Sequence, residues 1–240
     1  HICLKLRNFN LKALIYVFEN QSWEKVCCSI LKTPGTRLVS YQSSGFSKVF
    51  LNFFPTAMDA KIHPMPDVIL TVGELFTRHL LNHGNFAIPV KTFAALRFSY
   101  PTDGVRYSVL KPNPKLLKKI LYAFPVQVDQ YAVTLADLVK VFAHTPIIVH
   151  LKFHPVVKKS KIKGVHTLPS NFNVVDRVDM NSLSDNYDCV LFNDNSIGLE
   201  SLFMGVQSYQ YDATKRFDDD RFFYFDLSDT RLDFDGLVRL

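Results

Sequence analysis

The sequence predicts an α/β protein made of two lobes, each with a parallel sheet. Short β-branched and aromatic runs alternate with stretches of helical periodicity, which is the pattern of βαβ units. The alternation breaks once, at a proline-rich stretch, and then restarts; two sheets with a cleft between them are implied. With 48% hydrophobic and 21% charged residues, the 240-residue chain has the apolar surface that ordering requires, so a disordered chain is excluded.

The elements follow in order. Leu11 to Phe18 reads as a buried strand, and Ser22 to Lys32 as a helix with Trp23, Val26, Cys27 and Ile30 on one face. Thr36 to Tyr41 and Asp67 to Val72 are the next strands. The helix from Glu74 to Asn82 stops at Gly84, a residue type that favours the left-handed turn closing many helices. Lys91 to Phe98 is read as a fourth strand. The stretch FSYPTDGVRYSVLKPNPK, with three prolines and a glycine, is the linker that separates lobes of residues 1–112 and 113–240. Beyond it, Lys119 to Phe124 is a strand, and Leu135, Leu138, Val139 and Phe142 mark a helix face. Ile147 to Phe153 and Asp188 to Phe192 are strands. A helix from Ser196 to Met204 ends at Gly205, and Val206 to Tyr211 is the last core strand.

Charge and cysteine usage narrow the function. No apolar run approaches the ~18–20 residues of a membrane-spanning helix, and the basic, apolar start lacks the features of a signal peptide. The chain opens on His1 within an apolar segment and is read as a fragment or trimmed chain. Cys3, Cys27, Cys28 and Cys189 have no metal-ligand spacing, and adjacent Cys27 and Cys28 are poorly placed to bridge each other. A reduced, cytoplasmic protein fits. The net charge of +6 suggests an anionic partner. The basic clusters at 111–119 and 158–163 carry few aromatics and read as solvated faces, so a nucleic-acid partner ranks last.

In open parallel sheets, ligands bind beyond the carboxyl ends of the strands. In the second lobe, LKFHP ends a strand on His154-Pro155. Proline holds the preceding residue extended, so the imidazole projects at the strand exit, where it can donate to a phosphate; alone, such a histidine is more often a packing residue. In YDCVLFNDNSIGLESLFMG a strand runs into Asn193-Asp194-Asn195-Ser196 and a helix that offers N–H groups and a hydroxyl to an anion. Ordinary capping by Asn195 or Ser196 would explain the same residues. Gly198 allows close approach of a ligand, and Glu200 can accept from ribose hydroxyls. In FPVQVDQYAVT, Gln127, Asp129 and Gln130 lie at another strand exit, where they form a polar loop or read a base or sugar. In the first lobe, Glu19, Gln42, Ser43 and Glu74 fall at or beyond strand ends on the acceptor side. Glu19 is the leading candidate for a general base, although capping or solvation would account for any one of these residues.

The order of these motifs carries a resemblance. The C-terminal block resembles the nucleotide-binding half of two-Rossmann (GT-B) glycosyltransferases, particularly bacterial surface-polysaccharide enzymes that use CMP-activated sugars, such as sialyl and Kdo transferases. The resemblance implies that His154-Pro155 and Asn195-Ser196 hold the nucleotide phosphate, and the Gln127 region is similar to the first donor loop of capsule Kdo transferases. FENQSWEK, YQSSGFSKVFLNFFP, PDVILTVGE and AALRF resemble a family of surface-carbohydrate biosynthesis proteins. The similar segments cover much of residues 15–212. Where the family commonly has Ser-Ser or Ser-Thr, this chain has Asn195-Ser196, and its first lobe is short enough to be read as incomplete. The implied activity is a metal-independent, cofactor-free transfer of sugar from a nucleotide donor to a glycan or glycolipid hydroxyl, with peripheral contact to the acidic inner membrane. A CDP-glycerol-type polyol-phosphate transferase, or a non-catalytic nucleotide- or carbohydrate-binding scaffold module, is the alternative.

Overall fold

A computed structural model describes residues 2–47, 49–96, 117–158, 162, 164–214 and 230–240. The chain divides into two compact units, residues 1–99 and 100–240. The proline-rich linker, the expected boundary at 112/113 and most of both basic clusters lie outside the described residues.

The first unit runs α1 (Ile2–Leu6), β1 (Ala13–Val17), α2 (Ser22–Leu31), β2 (Arg37–Gln42), α3 (Ala57–Ile62), β3 (Val68–Thr71), α4 (Glu74–His83) and β4 (Val90–Thr92). The four strands are parallel, in the order β1-β2-β3-β4. Side chains alternate across the sheet. Leu14 and Tyr16 face α2, which packs Cys27, Cys28 and Leu31 against them and Leu38. Thr77 of α4 bonds Thr71 and Thr92 on the same side.

Several details differ from the sequence expectation. Helix α2 buries Glu24, Cys27, Cys28 and Leu31, whereas Trp23 and Val26 are 50% and 52% exposed. The inward turn is set by Cys28, whose thiol meets the Tyr16 hydroxyl at 3.1 Å, and by Glu24, whose carboxylate is drawn into the loop after β1. Strand β4 stops at Thr92, because the Tyr41 hydroxyl takes over the following backbone: it donates to the Ala94 carbonyl (2.8 Å) and accepts from the Leu96 N–H (3.0 Å); Arg97 and Phe98 of the expected strand lie outside the described residues. Gly84 has φ −109°, outside the left-handed region; glycine is needed there because a Cβ would run into the Phe86 ring. Cys3 and Cys27 form a disulfide, with Cα atoms 5.6 Å apart where α1 lies on α2. This corrects the expectation of four reduced thiols; Cys28 and Cys189 are free and buried.

The second unit runs β5 (Lys119–Ala123), α5 (Tyr131–Phe142), β6 (Ile148–Lys152), β7 (Phe172–Val174), α6 (Leu183–Asn186), β8 (Cys189–Phe192), α7 (Ile197–Phe203), β9 (Gln207–Tyr211), β10 (Arg231–Leu232) and α8 (Phe234–Val238). The parallel sheet has the order β10-β9-β8-β5-β6-β7. The chain starts at β5 in the middle, winds outward to β7, returns to the other side of β5 as β8, and winds outward again. Both faces are covered. Ile120, Tyr122, Val149 and Leu191 join Leu135, Leu138 and Phe142 of α5 in one layer. Leu121 and Val190 join Leu183 and Val206 in the other. This is why β5 and β8 are almost uninterrupted apolar runs, each fully buried leucine or isoleucine contributing about 1.5–3 kcal/mol. Helix α7 ends as expected, with Gly205 in the left-handed region at φ 73°.

Candidate functional site

The winding direction of the second sheet reverses between β5 and β8. In doubly wound sheets the crevice beyond the carboxyl ends of two such strands is the ligand site. Ala123 and Phe192 pair in register as the last residues of these strands. Beyond them lie two loops, Phe124–Gln130 and Asn193–Ser196.

Three consecutive side chains of the second loop bind the first loop or the end of β5. The Asn193 amide donates to Gln130 Oε1 (2.8 Å), Asp194 Oδ2 accepts from Gln127 Nε2 (2.9 Å), and Asn195 Nδ2 donates to the Ala123 carbonyl (2.9 Å). Asp194 takes a left-handed conformation, φ 41°, which asparagine and aspartate tolerate better than other non-glycine residues. The Asn195 amide also donates to the Asn193 carbonyl (2.9 Å), and its oxygen accepts from the Ile197 N–H (3.2 Å). Both of its donors are therefore engaged within the protein. Gln127 Oε1 is shut off from solvent and has no hydrogen-bond partner among the described residues.

The other expected donor-side residues occupy distinct positions. Ser196 is half-buried at the start of α7 and its side chain does not cap the helix. Helix α7 has seven residues, against the nine expected from Ser196 to Met204. Gly198 packs against Phe192, and a Cβ there would overlap the ring, so helix–strand contact by itself demands glycine. Glu200, expected to accept from ribose hydroxyls, is almost fully buried. Asp129 is exposed on a single 3-10 turn.

His154 follows β6, the strand on the far side of β5 from β8. Its Nδ1 accepts from the Val156 N–H (3.4 Å), so a neutral ring carries its proton on Nε2. Adjacent strands lie ~4.8 Å apart, which places the exits of β6 and β8 roughly 10 Å from each other, a span suited to a nucleotide phosphate and its sugar. Pro155 is exposed and continues the turn in which the Val157 N–H bonds the His154 carbonyl (2.9 Å).

In the first unit, Glu19 is exposed while its backbone is held on both sides. Its N–H donates to Glu24 Oε1 (3.0 Å), and its carbonyl accepts from Asn52 Nδ2 (2.5 Å). Glu24 also accepts from the Gln21 N–H (2.9 Å), completing a capping box. Burial raises the Glu24 pKa, opposed by N–H groups of Gln21, Glu19 and Asn20. The Gln21–Glu24 spacing was the signal that could have revealed it. Gln42 is fully buried and its amide is committed: its oxygen accepts from the Val72 N–H (3.3 Å) and its nitrogen donates to the Ser44 carbonyl. It straps β2 to β3 rather than reaching a ligand. Ser43 is half-buried and Glu74 exposed at the start of α4.

Among solved structures, the chain is similar to the glycosyltransferase of kitacinnamycin: TM-score 0.57 and 13% identity, covering 99% of this chain and 68% of that one. It is also similar to CalG4, the calicheamicin glycosyltransferase, with TM-score 0.48 and 11% identity over 87% of this chain and 56% of that one. No family model matches the chain, and no curated protein does. The first likeness shows the fold: a mixed α/β chain with two parallel sheets, as in GT-B glycosyltransferases.

Proposed function

We propose that this chain is a glycosyltransferase of bacterial surface-polysaccharide (lipopolysaccharide or capsule) biosynthesis. It transfers a sugar from a CMP-activated donor such as CMP-Kdo to a hydroxyl of a glycan or glycolipid. The carrying observation is the winding reversal at β5 and β8, with polar loops at both exits and His154 one strand away. The solved neighbours' names share glycosyl transfer with this reading. The CMP donor and the polysaccharide acceptor rest on the order of motifs in the sequence.

In the proposed reaction the acceptor oxygen forms a bond to the anomeric carbon as the bond from that carbon to the phosphate oxygen breaks. Negative charge grows on the departing phosphate, where the His154 Nε2–H and the Ser196 hydroxyl donate to it. Asn195 acts by fixing the loop, and Gln127 holds Asp194 through its amide N–H. In the first unit, the exposed Glu19 carboxylate on its fixed backbone has the chemistry of a general base for a hydroxyl. The acceptor's acidic membrane is the peripheral partner.

The test is turnover of CMP-sugars by the wild type and by His154→Ala. Release of CMP by the wild type and its abolition in a folded His154→Ala variant are expected. Near-normal transfer by the variant overturns the role of His154. Turnover of CDP-glycerol alone would assign a polyol-phosphate transferase, and calorimetric titration showing no binding of CMP or CDP would point to a scaffold.

A further inference from the structure

We infer that the amino-terminal edge of the first sheet is a docking surface for an acidic lipid bilayer. This edge lies at the opposite end of the strands from the exits carrying Glu19, Gln42 and Glu74. There α1 rests on α2 through Cys3 and Leu6. The chain then turns into β1, and the Arg37 N–H bonds the Lys12 carbonyl (2.9 Å) to bring the starts of β1 and β2 together.

Two apolar side chains stand out from this edge, Leu4 at 54% and Phe9 at 65% exposure. Around them Lys5, Arg7, Lys12 and Arg37 are exposed, and none of the four forms a salt bridge among the described residues. Asp67, a carboxylate on this edge, is already engaged by Lys32 (3.2 Å) and the Leu38 N–H (2.7 Å). The surface is therefore positive with apolar projections. Between α1, the end of α2 and the turn into β2 lies a cavity of about 410 Å³, whose lining includes Arg7, Asn8, Asn10, Thr33 and Thr36 and no carboxylate.

An anionic bilayer complements each part. Headgroup phosphates meet the basic side chains and the donor-lined cavity, while Phe9 and Leu4 enter the boundary with the acyl chains. An acidic protein partner would meet the same charges, but a flat array of anions over an apolar layer also accommodates the two projecting apolar side chains. The surface does not depend on the donor chemistry, and its test needs no transfer assay.

The test is co-sedimentation with vesicles of phosphatidylcholine alone and of phosphatidylcholine mixed with phosphatidylglycerol. The chain should pellet with the mixed vesicles and be released by molar salt, where screening shortens to ~3 Å. A basic residue near an acidic surface changes partition about fivefold, so combined Lys5→Glu, Arg7→Glu and Lys12→Glu should lower it by at least about a hundredfold. Phe9→Ala should weaken binding further without changing the salt dependence. Lys91→Glu, one such charge reversal at exposed β4, should leave partition near that of the wild type. Circular dichroism would check that each variant folds. Equal pelleting of the triple variant, equal loss in Lys91→Glu, no preference for acidic vesicles, or binding of inorganic phosphate without vesicle binding would each overturn the proposal.

Discussion

Asn195 Nδ2 donates to the carbonyl of Ala123, a residue 72 positions earlier, at 2.9 Å. That bond ties the exit of β8 to the exit of β5 at the place where the sheet reverses its winding. Asn193 and Asp194 reach Gln130 and Gln127 of the loop after β5, so the crevice between these exits is organised by side chains rather than by a glycine-rich turn.

Asn195→Ala should therefore act on both stability and binding. It removes two donors and the acceptor for the Ile197 N–H, which should cost about 1–3 kcal/mol of unfolding free energy and weaken CMP binding as the loop loosens. Urea titration and calorimetry measure the two effects. Unchanged stability would show that the clamp is not needed to hold the loop.

Gly198→Ala should destabilise by about 1–3 kcal/mol through overpacking, outweighing the ~1 kcal/mol of helix propensity that alanine offers. The cause is the Phe192 ring, into which the new Cβ would project. Combining it with Phe192→Leu should cost less than the sum of the single changes. Simple additivity in this double-mutant cycle would argue against the ring as the reason for glycine.

Glu24 predicts a pH effect of definite sign. Burial raises its folded pKa above the ordinary carboxylate value, so the folded state holds the proton more tightly than the unfolded state. Its favourable contribution is full below the unfolded value and is lost as pH rises through the raised folded value. Glu24→Gln cannot titrate, so the wild type should lose stability relative to it over that rise. Parallel stability curves for the two proteins would remove Glu24 from the account.

Much of this architecture was legible because local chemistry and tertiary need agree. The runs ILYA and CVLF of β5 and β8 are apolar at nearly every position because both sheet faces are covered. Strand β7, with three residues, and β10, with two, are too short to show a period. The face of α2 misled because Trp23 and Val26 rank as core residues by hydrophobicity. The fold instead turns Glu24 and Cys28 inward, toward partners elsewhere in the sequence. The same distance hid the site: His154 and Asn195 were visible as strand-exit residues, whereas the Gln127–Asp194 contact joins positions 67 apart. Gln42 looked like an exit residue by position, and only its bond to the Val72 N–H reveals a buried strap.

His79 predicts a second pH effect, opposite in sign to that of Glu24. It lies on α4 with its ring edge-on to Phe54 (centroids 5.5 Å apart), beside Phe46 (6.2 Å) and one turn from His83 (4.4 Å). Burial, and secondarily the neighbouring His83, pull its pKa down from 6.5 to about 4. Within that window the unfolded chain binds the proton and the folded chain resists it, so stability rises with pH. The contribution is complete above the unfolded value and is lost as pH falls through about 4. His79→Phe keeps an aromatic ring among the phenylalanines and removes the titration. Denaturation midpoints should therefore fall more in the wild type than in His79→Phe between neutrality and the folded pKa. Because Phe46 belongs to the loop after β2, acid should also loosen this aromatic cluster, which amide exchange of residues 43–47 would report. Equal acid loss in both proteins would mean that His79 is not what couples the aromatic cluster to pH.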